Sequence, residues 1–521
     1  MKTPPAPPKP TRRFTPPSAA ALLLALWTCC AAEPARAQTS YTYTPSGENP
    51  HDWSDSAKWG LETGYPSEKG ITINLSKVSV AATLNFDVTP TVGVFNIGPA
   101  GVGSGSAAWS IGTASQSFIL DNDGDPAVIH NQSGATASIT AAILSEGGLR
   151  FTGSNTMFVR NGNSLLEGGV TISGGGHIYF YSPGMLSTSV ITLESGGTAR
   201  FGNATATKQV INNDFVVTGV DLVRGIYSNS TTGIELHGDI SGTAGVIFGT
   251  DSSVRNDTTE VFGENTYEGK TEIRTNVVFH SIENFGQGAI EFASADRKLT
   301  YAENNTADIT TNYLGAVRSV ALNRQTTIDT GANAVTYANA ISGSRGLTKE
   351  GSGSLTLLGD NTFLNTVLSE GTVVAGHQNA FGGKTGVLAI KTDARLELQA
   401  ATALDVGELS LESTAQFTFN LTQNPDDTSL TVWGNQTGDS ELQITIAPGP
   451  GGLAAGDYLL LSFLGDTGAV SFTLAPESAA LGSLGWDQET QRLTFHAIPE
   501  PNTAFLFVLA VGVAGLAWKK N

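Results

Sequence analysis

The densest group of potential ligands in the chain is Asp121-Asn122-Asp123-Gly124-Asp125. Three carboxylates at alternate positions offer hard oxygen donors of the kind Ca²⁺ takes. The later positions of a calcium loop are missing, because Pro126-Ala127-Val128-Ile129 follows with no closing glutamate. The run therefore reads as an Asx/Gly turn. Seven histidines, at positions 51, 130, 177, 237, 280, 377 and 496, are scattered too widely for a local metal or acid–base motif. His280 and His377 lie 97 residues apart and read as equivalent, non-catalytic positions of a repeat. No HExxH, GxSxG or P-loop pattern occurs. Gly101-Val102-Gly103-Ser104-Gly105 lacks the following helix that a nucleotide loop needs. Paired carboxylates about 5 to 9 Å apart in a groove would suit polysaccharide cleavage, but few polar residues interrupt the apolar pattern. The reading is a non-enzymatic chain with no cofactor, no catalytic residue and no metal ligand.

The elements that would position any site are short strands. Charged residues make up 14% of the chain against roughly 25% in an average protein, and glycine accounts for 61 of 521 residues. Thr, Ser, Asn, Val, Ile and Leu fill short alternating runs, which suit strands joined by tight turns. Leu355-Thr356-Leu357 alternates with a period of two, placing both leucines on one face. Nearby glycines allow positive φ at corners, and Asn361 suits a left-handed turn position or stacking between neighbouring coils.

The two ends read as addresses. A basic, proline-rich leader with Arg12 and Arg13 precedes an apolar run from Ala19 to Ala32, and Ala35-Arg36-Ala37 supplies a small-x-small cleavage pattern before Gln38. Removing residues 1–37 takes away five positive charges and one negative, moving the net charge from −19 to −23. So acidic a surface disfavours nucleic acid and anionic lipid. Both cysteines, Cys29 and Cys30, leave with the leader, so the mature chain has no disulfide or thiolate site. At the other end, Pro499-Glu500-Pro501 precedes an apolar run from Ala504 to Trp518 and then Lys519-Lys520-Asn521. This tail resembles the PEP-CTERM sorting signal. The resemblance implies an exosortase-type processing enzyme acting near the Pro-Glu-Pro, a secretion translocon upstream of it, and an association with envelope or extracellular polysaccharide. The family's tail is commonly arginine-rich, and here it carries a lysine pair. The apolar run spans about 22 Å as a helix, short of the ~30 Å hydrocarbon core. Trp518 and the snorkelling Lys519 and Lys520 can make up part of the deficit, with the lysines on the cytoplasmic side. A transient inner-membrane anchor follows from that marginal length.

Between the ends the sequence repeats itself. Gly359-Asp360-Asn361-Thr362-Phe363 matches Gly263-Glu264-Asn265-Thr266-Tyr267 at an offset of 96, and Phe381-Gly382 matches Phe285-Gly286 at the same offset. A weaker copy begins at Gly162, whose Gly162-Asn163-Ser164 aligns with Gly263-Glu264-Asn265. The best-preserved copy, Ile341 to Gly376, resembles the autotransporter-associated β-strand repeat. That resemblance implies a right-handed parallel β-helix carried to the cell surface. Stacked coils would bury one continuous core and leave only the end coils open.

Trp53 and Trp59 are expected to cap the first coil rather than stack on a sugar. The expected organisation is a signal peptide at 1–37, capping and early solenoid strands at 38–140, a β-helix with repeats at 141–400, a closing β-strand unit at 401–497, and a sorting and transmembrane tail at 498–521. The whole is an all-β solenoid with terminal signal and anchor helices. The expected role is an exported surface or matrix protein, with a glycan-binding adhesin as second reading and a carbohydrate-active enzyme as third.

Overall fold

The computed structural model describes residues 38–498, apart from 46–48, 104, 195, 203–207, 220–222, 229–231, 250–256, 439 and 469. From Ser40 onward the described residues form one compact unit. The expected terminal helices, with Ala35, Ala37, Pro499, Glu500, Pro501, Trp518, Lys519 and Lys520, lie outside the described residues, and Gln38 is the first residue inside them. Among the described residues no helix is long and apolar enough to cross a membrane.

The body is an all-β parallel solenoid of about 15 turns. Most of its strands are short and alternate: Ser117–Leu120 and Ser354–Leu357 each present half-buried and buried residues in turn. A strand of four residues points two side chains inward and two outward, so it cannot hide its apolar face alone. Stacking solves this. Leu149, Val170, Ile191, Phe215 and Ile240 are register partners in five successive strands, and each is at most 1% exposed. Such columns run through a single apolar cluster from Tyr43 to Ala497. Each fully buried Val, Leu, Ile or Phe contributes about 1.5–3 kcal/mol, gained only when the next coil is in place.

Three faces carry the first half. A nine-stranded sheet runs from Ser40–Tyr43 to Ile240–Gly242, and a thirteen-stranded sheet from His51–Asp52 to Ile341–Ser342. The third face is a four-stranded sheet, Thr91–Val92 to Leu165–Leu166, succeeded by an eleven-stranded one from Gln209–Ile211 to Gln436–Thr437. Later coils are completed by a seven-stranded sheet from Ala334–Tyr337 to Val470–Leu474 and by a five-stranded sheet. Parallel stacking continues well past residue 400, since Gln416–Leu421 pairs in parallel with Ser440–Pro448. Among the strand pairs of the described residues, only the final closure is antiparallel, where Arg492–Ala497 lies between Gly456–Phe463 and Gly482–Asp487.

Aromatic rings fill the first coils. Trp53 is fully buried and Trp59 is 6% exposed, with ring centroids 4.7 Å apart, and Tyr43 meets Trp59 at 4.6 Å. Neither indole offers a free face to a sugar. The glycines act in two ways. Gly371 has φ of 70°, and a Cβ there would also collide with the Gly351 carbonyl oxygen. Gly353 has an ordinary backbone, but a Cβ would strike the Asn333 carbonyl oxygen of the preceding coil. At that position glycine is required by close approach, not by φ.

Candidate functional site

The acidic run at 121–125 is built as a turn. Asp121 accepts from the Asp123 amide at 3.0 Å and pairs with Lys69 at 2.6 Å. Asp123 adopts φ of 56° and Gly124 of 103°, closing a bridge between Asn122 and Asp125. Lys69 beside it holds the Asp121 carboxyl below the usual range. Among the described residues no group of three or more His, Cys, Asp or Glu side chains is arranged to hold a metal ion.

The histidines divide by environment. His237 and His280 sandwich Phe262, with centroids 4.3 and 4.2 Å away, on the outer side of the eleven-stranded sheet. Their Nε2 atoms face Glu235 at 3.1 Å and Glu260 at 3.0 Å. Lys208 bridges the same two carboxylates, contacting Glu235 at 3.3 Å and Glu260 more closely. His237, followed by Lys208, draws Glu235 below the ordinary carboxylate range. For Glu260 burial pushes upward, and its bonds to Lys208 and His280 outweigh it, so its net shift is also downward. A second ladder joins Lys270 to Glu272 at 2.6 Å and Glu291 at 2.8 Å, and Arg274 to Glu272 at 2.5 Å. These closely spaced acids and bases neutralise one another across coils.

His280 and His377 are not equivalent, contrary to the spacing argument. Aligning Phe285 with Phe381 places His377 opposite Ser281, one residue out of step. Its Nδ1 accepts from the Asn379 amide at 3.1 Å, a local turn contact unlike the stacked ion pair of His280. Of the two readings of Asn361, the left-handed turn fails, and the side chain lies between neighbouring coils. It does not adopt positive φ; it is 2% exposed and bonds to backbone on either side. The Ile341 amide donates to its Oδ1 at 2.7 Å, and its Nδ2 donates to Ala380 O at 2.9 Å.

Lys349 is a buried cation that the sequence did not announce. Its Nζ donates to the carbonyls of Glu350 (2.9 Å), Gly351 (2.6 Å), Gly353 (3.0 Å) and Glu370 (3.1 Å). Burial pushes the ammonium down to about 8. Four carbonyl dipoles aimed at it favour the charged form and clamp one corner of the coil. Also missed was a run of aromatic and arginine side chains on the outer side of the thirteen-stranded sheet: Phe158, Tyr179 and Arg200 are register partners in successive strands, although no local motif links them.

The last strand among the described residues ends at Ala497, and the Ile498 amide still donates to Leu481 O at 3.0 Å. The folded body therefore reaches to within one residue of Pro499. Residues 497–521 match the PEP-CTERM protein-sorting motif. Comparison with curated proteins and with solved structures finds no match. The motif implies an exported protein that passes through a C-terminal, membrane-anchored sorting step and is recognised by an exosortase. The body it delivers is the β-solenoid.

Proposed function

We propose that the chain is a non-enzymatic structural protein, processed at its C-terminus by an exosortase-type enzyme and placed at the cell surface or in the extracellular matrix beside envelope polysaccharide. The observation that carries this reading is the junction of a closed solenoid with the sorting motif at residues 497–498. Supporting it, two clusters of acid–base groups, Lys208 with Glu235 and Glu260 and Lys270 with Glu272 and Glu291, are consumed in ion pairs along the coils. The copies beginning at Gly162, Gly263 and Gly359 support kinship with the autotransporter-associated β-strand repeats. Residues 1–37 serve as the export signal, cut after Ala37, and Trp518, Lys519 and Lys520 hold the tail at the inner membrane until processing. The test is the mature C-terminus, read by mass spectrometry in the host with and without its exosortase. Deleting Pro499-Glu500-Pro501 should leave the full tail on the protein and the protein in the inner membrane. Unchanged delivery of that variant would remove the sorting role.

A further inference from the structure

Phe158, Tyr179 and Arg200 form one outward row on three adjacent strands, and Arg160 and Tyr181 form a second beside it. Arg160 lies over the Phe158 ring at 4.7 Å and the Tyr181 ring at 4.5 Å. Arg200 lies over the Tyr179 ring at 4.9 Å. Stacking of this kind fixes a guanidinium plane and leaves its N–H edge free to meet an acceptor. Arg160 donates through Nε to Ser138 Oγ at 2.6 Å and through Nη1 to the Tyr181 hydroxyl, while Arg200 donates through Nη1 to the Tyr179 hydroxyl. Neither arginine is ion-paired to a carboxylate among the described residues. Arg200 Nε and the neighbouring His177 Nδ1 are buried without a hydrogen-bond partner.

Charge points the same way. From Gly147 to Arg200 the only carboxylates are Glu167 and Glu194, the latter paired with Arg150 at 2.6 Å, in a chain with 47 acidic residues. The strip is thus a cationic, donor-rich interruption of an acidic body. Its rows repeat at the ~4.8 Å spacing of stacked strands, in the direction of coil stacking, which suits an extended polymer better than a compact ligand. Planar guanidinium forks match carboxylates, and ring edges with phenolic hydroxyls match the apolar faces and oxygens of pyranose rings.

We propose that Arg160, Arg200 and the aromatic rows of Phe158, Tyr179 and Tyr181 bind a carboxylated polysaccharide laid along the solenoid. This rests on, and sharpens, the reading of the protein as a neighbour of envelope polysaccharide. It is testable without export, so its failure would leave the sorting role standing.

The probe is polygalacturonate, titrated calorimetrically into the full chain in detergent, alongside its methyl-esterified form and single-stranded DNA. Saturable binding of polygalacturonate is expected, at least tenfold weaker for the ester. The Arg160→Gln/Arg200→Gln variant should lose at least tenfold, while Arg395→Gln/Arg492→Gln, with the same change in net charge, should lose less than twofold. Should the double variant lose its cooperative melt, Arg160→Gln alone, at an exposed side chain, carries the comparison. No binding of polygalacturonate, equal binding of the ester, equal or tighter binding of DNA, or equal loss in the control variant would each overturn the proposal.

Discussion

Asn265 and Asn361 make the same two connections 96 residues apart. The Ile240 amide donates to Asn265 Oδ1 at 2.7 Å, and Asn265 Nδ2 donates to Asn284 O at 2.6 Å. Asn361 repeats this between Ile341 and Ala380, at 2.7 and 2.9 Å. In the weaker third copy Ser164 stands at the aligned position, and its Oγ accepts from Ile143 N at 3.0 Å. Each side chain supplies a corner with the backbone partner that a regular strand would have provided.

Replacing Asn361 with alanine should cost about 1–3 kcal/mol, because a buried amide and a buried carbonyl both lose their partner. Asn265→Ala should cost a similar amount, and the two should add, since they act on separate coils. Urea midpoints of the single and double variants check this; a double variant no worse than either single one would show that the positions do not act independently.

Lys349→Met should destabilise by roughly 2–3 kcal/mol, the scale of hydrogen bonds to a charged group, despite preserving side-chain bulk. Arginine should not rescue it, because a planar fork cannot reach four carbonyls gathered around one nitrogen. Thermal melts of the two variants decide the matter.

Acid should unfold the body in two stages. Burial lowers His51, His130 and His177 below the ordinary imidazole value, with Lys58 adding to the effect on His51 and Arg200 on His177. The unfolded chain then binds more protons, so stability present above pH ~6.5 is lost as pH falls toward the folded values. Glu235, Glu260 and Glu291 are held below the usual carboxylate range, Glu291 chiefly by its bond to Lys270. Their contribution is full above pH ~4.5 and disappears as pH falls through their folded values. Melting temperature against pH should show both declines. His130→Gln should shrink the first, and Glu260→Gln the second.

Chelators should leave the circular dichroism spectrum and melt unchanged, since Asp121 is occupied by Lys69 and the Asp123 amide. A melt lowered by chelation and restored by added Ca²⁺ would instead assign the 121–125 turn to that ion.

The period-two alternation around Leu355 and the copies at an offset of 96 made the stacked-strand body readable from the residues. Individual coils were harder to read. Leu149, Val170 and Ile191 are spaced by 21 residues, and so are Phe158, Tyr179 and Arg200, but coil length drifts elsewhere as corners gain or lose residues. That 21-residue step was the available signal for the aromatic–arginine strip, whose members share no local motif. Nothing local in Leu347-Thr348-Lys349-Glu350 marks Lys349 for burial, because the carbonyls that hold it belong to two coil corners. Asn361 looked like a turn residue because its partners lie 20 and 19 positions away.

With Arg492–Ala497 as the last hydrogen-bonded strand and Ile498 its final tie, cargo and address meet at a seam one residue wide. A cut at or beyond Pro499, as the proposed processing requires, would sever no rung among the described residues. The product of the proposed processing would keep every described coil of its precursor, so such a maturation would change the address of the molecule and leave its described body as it was.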